Sequence, residues 1–284
     1  MTTINMPDVP ELGGPVSEKD AGQRVDFKPN KFDLAIENKG YLLAWTRACV
    51  CPCIAVTEKT NQPNPNCPQC KGQGWFYIGG NQTQDLSEYN FDVLQQKIIE
   101  DSNAMVIRGI ITNVMNQYDT LDRLTNWQSG KLSLTVRSEN KLALYDRIVV
   151  LDPEIVYSEV VVADGTALID IGRDQNQVRY PVTGINHISG HAPDTDAPVA
   201  YEHGTDYAAN DVGQIEWISG REPVAETRLA LHYHCHPVFL VVEHPHVLRS
   251  TLKKFKIQTT KTPRGNPQPL PIQAVVQYEF MPAK

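Results

Sequence analysis

Five of the six cysteines in this 284-residue chain fall between Cys49 and Cys70. Cysteines scattered through a core would not cluster in that way. The centre of the cluster is Cys51-Pro52-Cys53, thirteen residues, then Cys67-Pro68-Gln69-Cys70, with Gly72 and Gly74 behind it. A C-x-x-C turn followed by glycine aims two sulfurs at one point and turns backbone N–H groups toward them. C-x-C is tighter, but a backbone bent at Pro52 converges both side chains. Two such pairs supply four soft ligands for a tetrahedral Zn²⁺ that is closed to water and therefore structural. The ion substitutes for a hydrophobic core that about forty residues cannot build.

The expected ligands are Cys51, Cys53, Cys67 and Cys70. Cys49 alternates with Cys51 and Cys53, so on a strand all three share a face and Cys49 is an alternative ligand. Free thiols or disulfides, an iron–sulfur cluster and a redox pair are other readings of the spacing. The redox reading lacks its βαβ surroundings.

Charge narrows the function classes. Acidic residues number 33 and basic ones 26, giving net −7. A broad electrostatic grip on nucleic acid is excluded. No apolar run is long enough for a membrane-spanning helix. The N-terminus lacks a basic start followed by an apolar run, which predicts no secretory signal and a chain made in a reducing cytosol.

The chain divides into four parts on this reading. Residues 1–40 form an extended arm, broken by prolines and glycines. Residues 41–82 are the cysteine-rich zinc module. Residues 83–260 are β-rich, with two subdomains split near 150–200. Residues 261–284 are a C-terminal extension. One helix is expected within 81–104, its apolar face made by Phe91, Leu94, Ile98 and Ile99, with Ser87 as cap. Strands are expected over 106–114, 131–136, 147–151 and 155–162, and at Ala274–Phe280. Asp164-Gly165 predicts a hairpin joining SEVVVA to TALIDI. Residues 173–200 read as loop-rich. The fold class is mainly β: a small zinc module followed by a sandwich- or barrel-like region.

Two further segments carry chemistry-bearing residues. His232, His234 and His236 line one face of an expected strand, with Tyr233 and Cys235 on the other. Three imidazoles can hold a catalytic metal, but no acid or base sits at a defined spacing beside them, and a histidine-rich polar face is the simpler reading. Tyr201-Glu202-His203-Gly204-Thr205-Asp206-Tyr207 reads as a tight corner, with Trp217 and Tyr233 packed beneath it. Phosphate-binding, nucleophile-elbow and H-E-x-x-H motifs are absent, which points away from an enzyme.

Read together, Tyr201-x-x-Gly204-Thr205-Asp206-Tyr207, Gly213-x-Ile215-x-Trp217, Pro223, Leu231-x-Tyr233, Pro237 and His246-x-x-Arg249 form a β-rich pattern. The pattern resembles structural proteins of tailed bacteriophages. The C-P-C and C-P-x-C-x-G-x-G-W run resembles the zinc-binding part of their head–tail connector (neck) proteins. Trp127-x-x-Gly130-x-Leu132-x-Leu134 and Tyr145-Asp146-Arg147-Ile148 fit the same likeness. Cys49 and the histidine strand depart from it.

The resemblance implies a virion protein, made in the host cytoplasm, that forms a homo-oligomeric ring between portal or adaptor and tail terminator. DNA would cross its lumen as passing cargo, and an acidic wall lets DNA slide. A baseplate or tail-end component is the nearest alternative. A zinc-module adaptor outside any virus and a histidine-based metal hydrolase stand further off.

Overall fold

The computed structural model describes residues 29–56, 62–79, 84–113, 131–193, 197–246, 250–253 and 266–281. The first half runs α1 (Pro29–Lys39), β1 (Tyr41–Val50), the helical turn α2 (Cys53–Val56), β2 (Trp75–Ile78), α3 (Val93–Asp101), β3 (Met105–Asn113), β4 (Lys131–Val136) and β5 (Arg147–Val150). Eight strands follow: β6 (Ile155–Val162), β7 (Leu168–Ile171), β8 (Gln177–Val178), β9 (Gly184–His191), β10 (Val199–Tyr201), β11 (Tyr207–Ala209), β12 (Ile215–Trp217) and β13 (Arg228–Cys235). The chain ends with β14 (Val238–His246), β15 (Ser250–Lys253), β16 (Asn266–Pro269) and β17 (Ile272–Tyr278).

Six strands close on themselves in the order β1-β3-β4-β17-β14-β5, with β5 pairing back to β1. Every neighbouring pair in this barrel is antiparallel. Closure leaves no open edge in the ring. The period of two decides what fills it. Leu43 and Trp45, Met105 and Ile107, Leu134 and Val136, Ile148 and Val150, Phe239 and Val241, and Ala274 and Val276 all point inward to one core. Gly109 continues the inward series on β3. A Cβ there would lie 2.7 Å from Leu43 Cδ1 and 2.8 Å from Leu134 Cδ1, so the interior has no room for even a methyl group.

The residues between these inward positions are buried as well where the rest of the protein covers the barrel. Ala44, Val106, Val149 and Val238 belong to a second core, shared with α3 and with residues 151–237. That stretch is inserted between β5 and β14. It forms two four-stranded sheets, β10-β9-β13-β6 and β11-β12-β7-β8. Ile188, Leu231 and Tyr233 from the first and Ile169, Ile215 and Trp217 from the second belong to one core, making a sandwich over it. The mainly β class and the cysteine cluster agree with the sequence reading.

Several local expectations change. Within the arm, residues 29–39 are helix α1, and Ile36 is fully buried. Glu37 pairs with Arg137 (2.7 Å), and α1 packs on β3. Residues 1–28 lie outside the described residues. The helix expected within 81–104 is confined to Val93–Asp101 and is capped by Asp92, not Ser87. Asp92 Oδ1 accepts from Gln95 N–H, and Gln95 Oε1 accepts from Asp92 N–H, a reciprocal capping box. The expected face is buried: Leu94, Ile98 and Ile99, with Phe91 beside them.

Asp164-Gly165 turns the chain but makes no hairpin. β6 pairs with β13, whereas β7 pairs with β12 in the other sheet. The turn is real, since Gly165 has φ +84° and Asp164 Oδ1 accepts from Thr166 N–H. It serves as a corner between sheets. The stretch 173–200, read as loop-rich, also contains β9, held by β13 on one side and β10 on the other. Its glycines and histidines have weak strand preference, and tertiary pairing overrides that. The linear division also gives way. β1 belongs to the barrel as well as to the cysteine module, and the expected C-terminal extension holds β17, a barrel strand between β4 and β14.

Candidate metal centre

β1 carries the chain out of the barrel to the cysteines. Its first half is flanked by β3 and β5, and from Arg47 to Val50 it pairs with β2 alone. The strand ends at Val50. Cys51 N–H donates to Gly74 O (2.8 Å), and Ile54 N–H donates to Cys51 O (3.1 Å) as the turn α2 begins. The bend at Pro52 therefore brings Cys51 and Cys53 together, as the spacing predicts. Cys49 stays behind on β1 opposite Phe76, its Sγ donating to Val50 O, and takes no part in the cluster.

The second pair sits in a tight loop. Cys67 N–H donates to Asn64 O, Lys71 N–H to Cys67 O and Gln73 N–H to Cys70 O. Lys71, Gly72 and Gly74 have φ of +49°, +83° and +88°. Two glycines at left-handed positions let the chain curl round the sulfurs without a steric cost. β2 then runs back along β1.

The four sulfurs of Cys51, Cys53, Cys67 and Cys70 lie within 4.8 Å of one another. Cys51 and Cys67 are 3.7 Å apart, and Cys53 and Cys70 3.5 Å. Four thiolates at zinc–sulfur distance on a tetrahedron stand about 3.8 Å apart. The quartet thus has the size of a tetrahedral metal site. Among the described residues it is the group of three or more His, Cys, Asp or Glu whose ligand atoms converge this closely.

The backbone favours anionic sulfur here. N–H groups of Cys70 and Gln69 face Cys67 and lower its pKa. Burial opposes ionisation of Cys70, but the N–H groups of Gly74 and Gly72 and the Cys53 thiol outweigh it, holding Cys70 at about 6. Burial pushes Cys53 up to about 12. Such a mixed set of thiols and thiolates is what a divalent cation would convert to four thiolates.

The module is fixed to the barrel at Tyr145 and Asp146. Trp75 of β2 stacks on Tyr145 with ring centroids 4.3 Å apart and planes 8° from parallel. Tyr145 takes φ +69°, held by its N–H donating to Val241 O. The fully buried Asp146 carboxylate accepts from Trp45 Nε1 (2.8 Å), Ala48 N (2.8 Å) and Ala143 N (2.7 Å). Burial raises its pKa, and these donors oppose the rise. Sequence reasoning gave Asp146 no role. An acid between an aromatic and an arginine carries no local sign of three donors that lie elsewhere in the fold.

The histidine strand keeps its alternation but forms no ligand set. Leu231, Tyr233 and Cys235 are buried and His232 is exposed. His234 meets Asn186 Oδ1 (3.0 Å) and Glu154 Oε2 (3.7 Å). His236 lies past the end of β13, is buried, and turns Nδ1 to Pro153 O. The 201–207 segment is a corner as expected: Gly204 has φ +79°, and Asp206 Oδ2 accepts from Glu202 N–H. Trp217 packs edge-on against Tyr201 and Tyr207. Tyr233 does not join them. It donates to Glu159 (2.6 Å) and packs edge-on against Tyr157. Trp127 and Arg249 lie outside the described residues. Compared with known proteins, the chain matches no family model and no curated protein.

Proposed function

We propose that this chain is a structural protein of a tailed-phage virion, forming an oligomeric ring at the neck or head–tail connector. The observation that carries the reading is the closed sulfur quartet at the end of β1. Four protein ligands leave no position for water or substrate, so the ion is structural. We assign it as Zn²⁺, because soft sulfur in a tetrahedron suits that ion. The ion stiffens a lip of chain, β1 to β2, that projects from a barrel already complete without it. A rigid lip on a rigid barrel suits a passive mechanical part that docks against neighbours. Val50 and Ile78 leave apolar surface exposed on that lip.

The likeness of the C-P-C and C-P-x-C-x-G-x-G-W run to connector proteins supplies the place in the virion. The test is electron microscopy of virus particles carrying a label on this chain. Label at the junction of head and tail is the expected result. Label at the tail tip replaces the neck with the baseplate. Particles without label overturn both readings and leave the zinc-module adaptor. Elemental analysis of protein purified without added metal should give one zinc per chain.

A further inference from the structure

Three arginines from separate parts of the fold converge on one cleft. Arg147 lies on barrel strand β5, Arg173 follows β7 and Arg179 follows β8. The cleft is a cavity of about 510 Å³ where barrel, cysteine module and inserted sandwich meet. Glu279, just past β17, is its inner acid, with a side chain only 5% exposed. Its Oε1 stands 3.4 Å from Arg147 Nε and 3.0 Å from Arg173 Nη2.

Arg179 meets the same residue differently. Its Nη2 donates to the main-chain oxygen of Glu279 at 3.3 Å. Its Nε is enclosed and, among the described residues, has no hydrogen-bond partner. Glu279 engages Arg147 and Arg173 through its carboxylate, while Arg179 is also hydrogen-bonded to the Tyr157 side chain and lies over the Tyr180 ring at 5.6 Å. Among the described residues, Asp101 and Glu279 are the acids that line this cavity against three guanidiniums, a local positive excess in a chain of net −7.

A second cavity, of about 290 Å³, shares Arg147 and Arg179 with the first. Its walls include apolar Leu94, Ile98, Val149 and Val238, with Lys97, Asp101 and Asp170 at the same cavity. Guanidinium forks match the oxygens of phosphate, and apolar walls beside them match an organic body.

We infer that this cleft binds a phosphate-type oxyanion on Arg173 and Arg179, with the adjoining cavity taking an apolar group attached to it. Arg147 and Glu279 hold the site open and set its depth. The inference stands apart from the virion reading, because none of these residues is a metal ligand.

Calorimetric titration of the full chain tests it, with inorganic phosphate and phenyl phosphate as probes and ionic strength fixed with chloride. Both should bind, phenyl phosphate about tenfold tighter, the effect of burying much of one ring. Arg179→Gln should weaken both by about tenfold or more, the loss of a charge-assisted contact. Arg173 is half exposed, so Arg173→Gln should keep the fold and weaken binding in the same direction. No heat beyond the chloride control overturns the inference. So does unchanged affinity in folded Arg173→Gln protein.

Discussion

The barrel and the cysteine module share one strand, and the change from one to the other falls between Thr46 and Arg47. Before it, β1 has neighbours on both sides and four consecutive buried residues, Leu43 to Thr46. After it, among the described residues, the partner is β2. The barrel core holds thirteen buried residues, large and apolar for the most part. The module buries Cys51, Cys67 and Cys70, with Cys53 and Phe76 packed against them. Apolar burial at about 25 cal/mol per Å² supports the first and is too small to support the second. A metal ion held by the four sulfurs would replace it there. The difference teaches that one chain can join two sources of stability in series, provided a strand and a clasp tie them. Here the clasp is the Trp75–Tyr145 stack and the Asp146 carboxylate that holds Ala48 and Trp45.

Separating the two sources gives the largest expected effect. Metal removal by a chelator, or Cys67→Ser with Cys70→Ser, should abolish stoichiometric metal. Structural zinc binding of this kind is worth on the order of 10 kcal/mol. Hydrogen exchange should then rise over 51–79 while β3 and β17 stay protected. Loss of protection throughout the barrel would show that the module is not a separate unit. Because each ligand sulfur must shed its proton, bound metal should also fall away as pH drops, read by a metal-sensitive dye.

Trp45→Ala tests the opposite half. It empties the barrel core and takes a donor from buried Asp146, so chemical denaturation should show a loss of about 3–5 kcal/mol. Gly109→Ala should cost about 1–3 kcal/mol by overpacking, because the new methyl meets Leu43 and Leu134. Cys49→Ser should be the smallest change, within about 0.5 kcal/mol, with full metal content retained. Metal loss in that variant would return Cys49 to the ligand set.

Much of the site was legible because its chemistry is local. Cys51, Cys53, Cys67 and Cys70 are brought together by two short turns, and glycine marks the place where the backbone must curl. The apolar face of α3 was legible for the same reason, although the cap moved from Ser87 to Asp92. Either position offers a side-chain oxygen, and only the packing of Leu94 and Ile98 selects between them. Alternation on β13 was correct, but the end of that strand at Cys235 takes His236 off the shared face. Asp164-Gly165 was correct as a turn and wrong as a hairpin. A turn signal fixes a change of direction, not which strand the chain meets next.

The sequence by itself determined the sulfur quartet, the alternation along β13, and the corner at Gly204, all of which follow from backbone geometry over a few residues. Tertiary structure decided the rest. It closed a barrel from strands as distant as β1 and β17, packed α3 into the core shared with residues 151–237, and brought Arg147, Arg173 and Arg179 to one cleft beside Glu279. The reason is that strand partners and charged neighbours far apart in the chain are chosen by what can be buried together, and no short stretch of sequence carries that information.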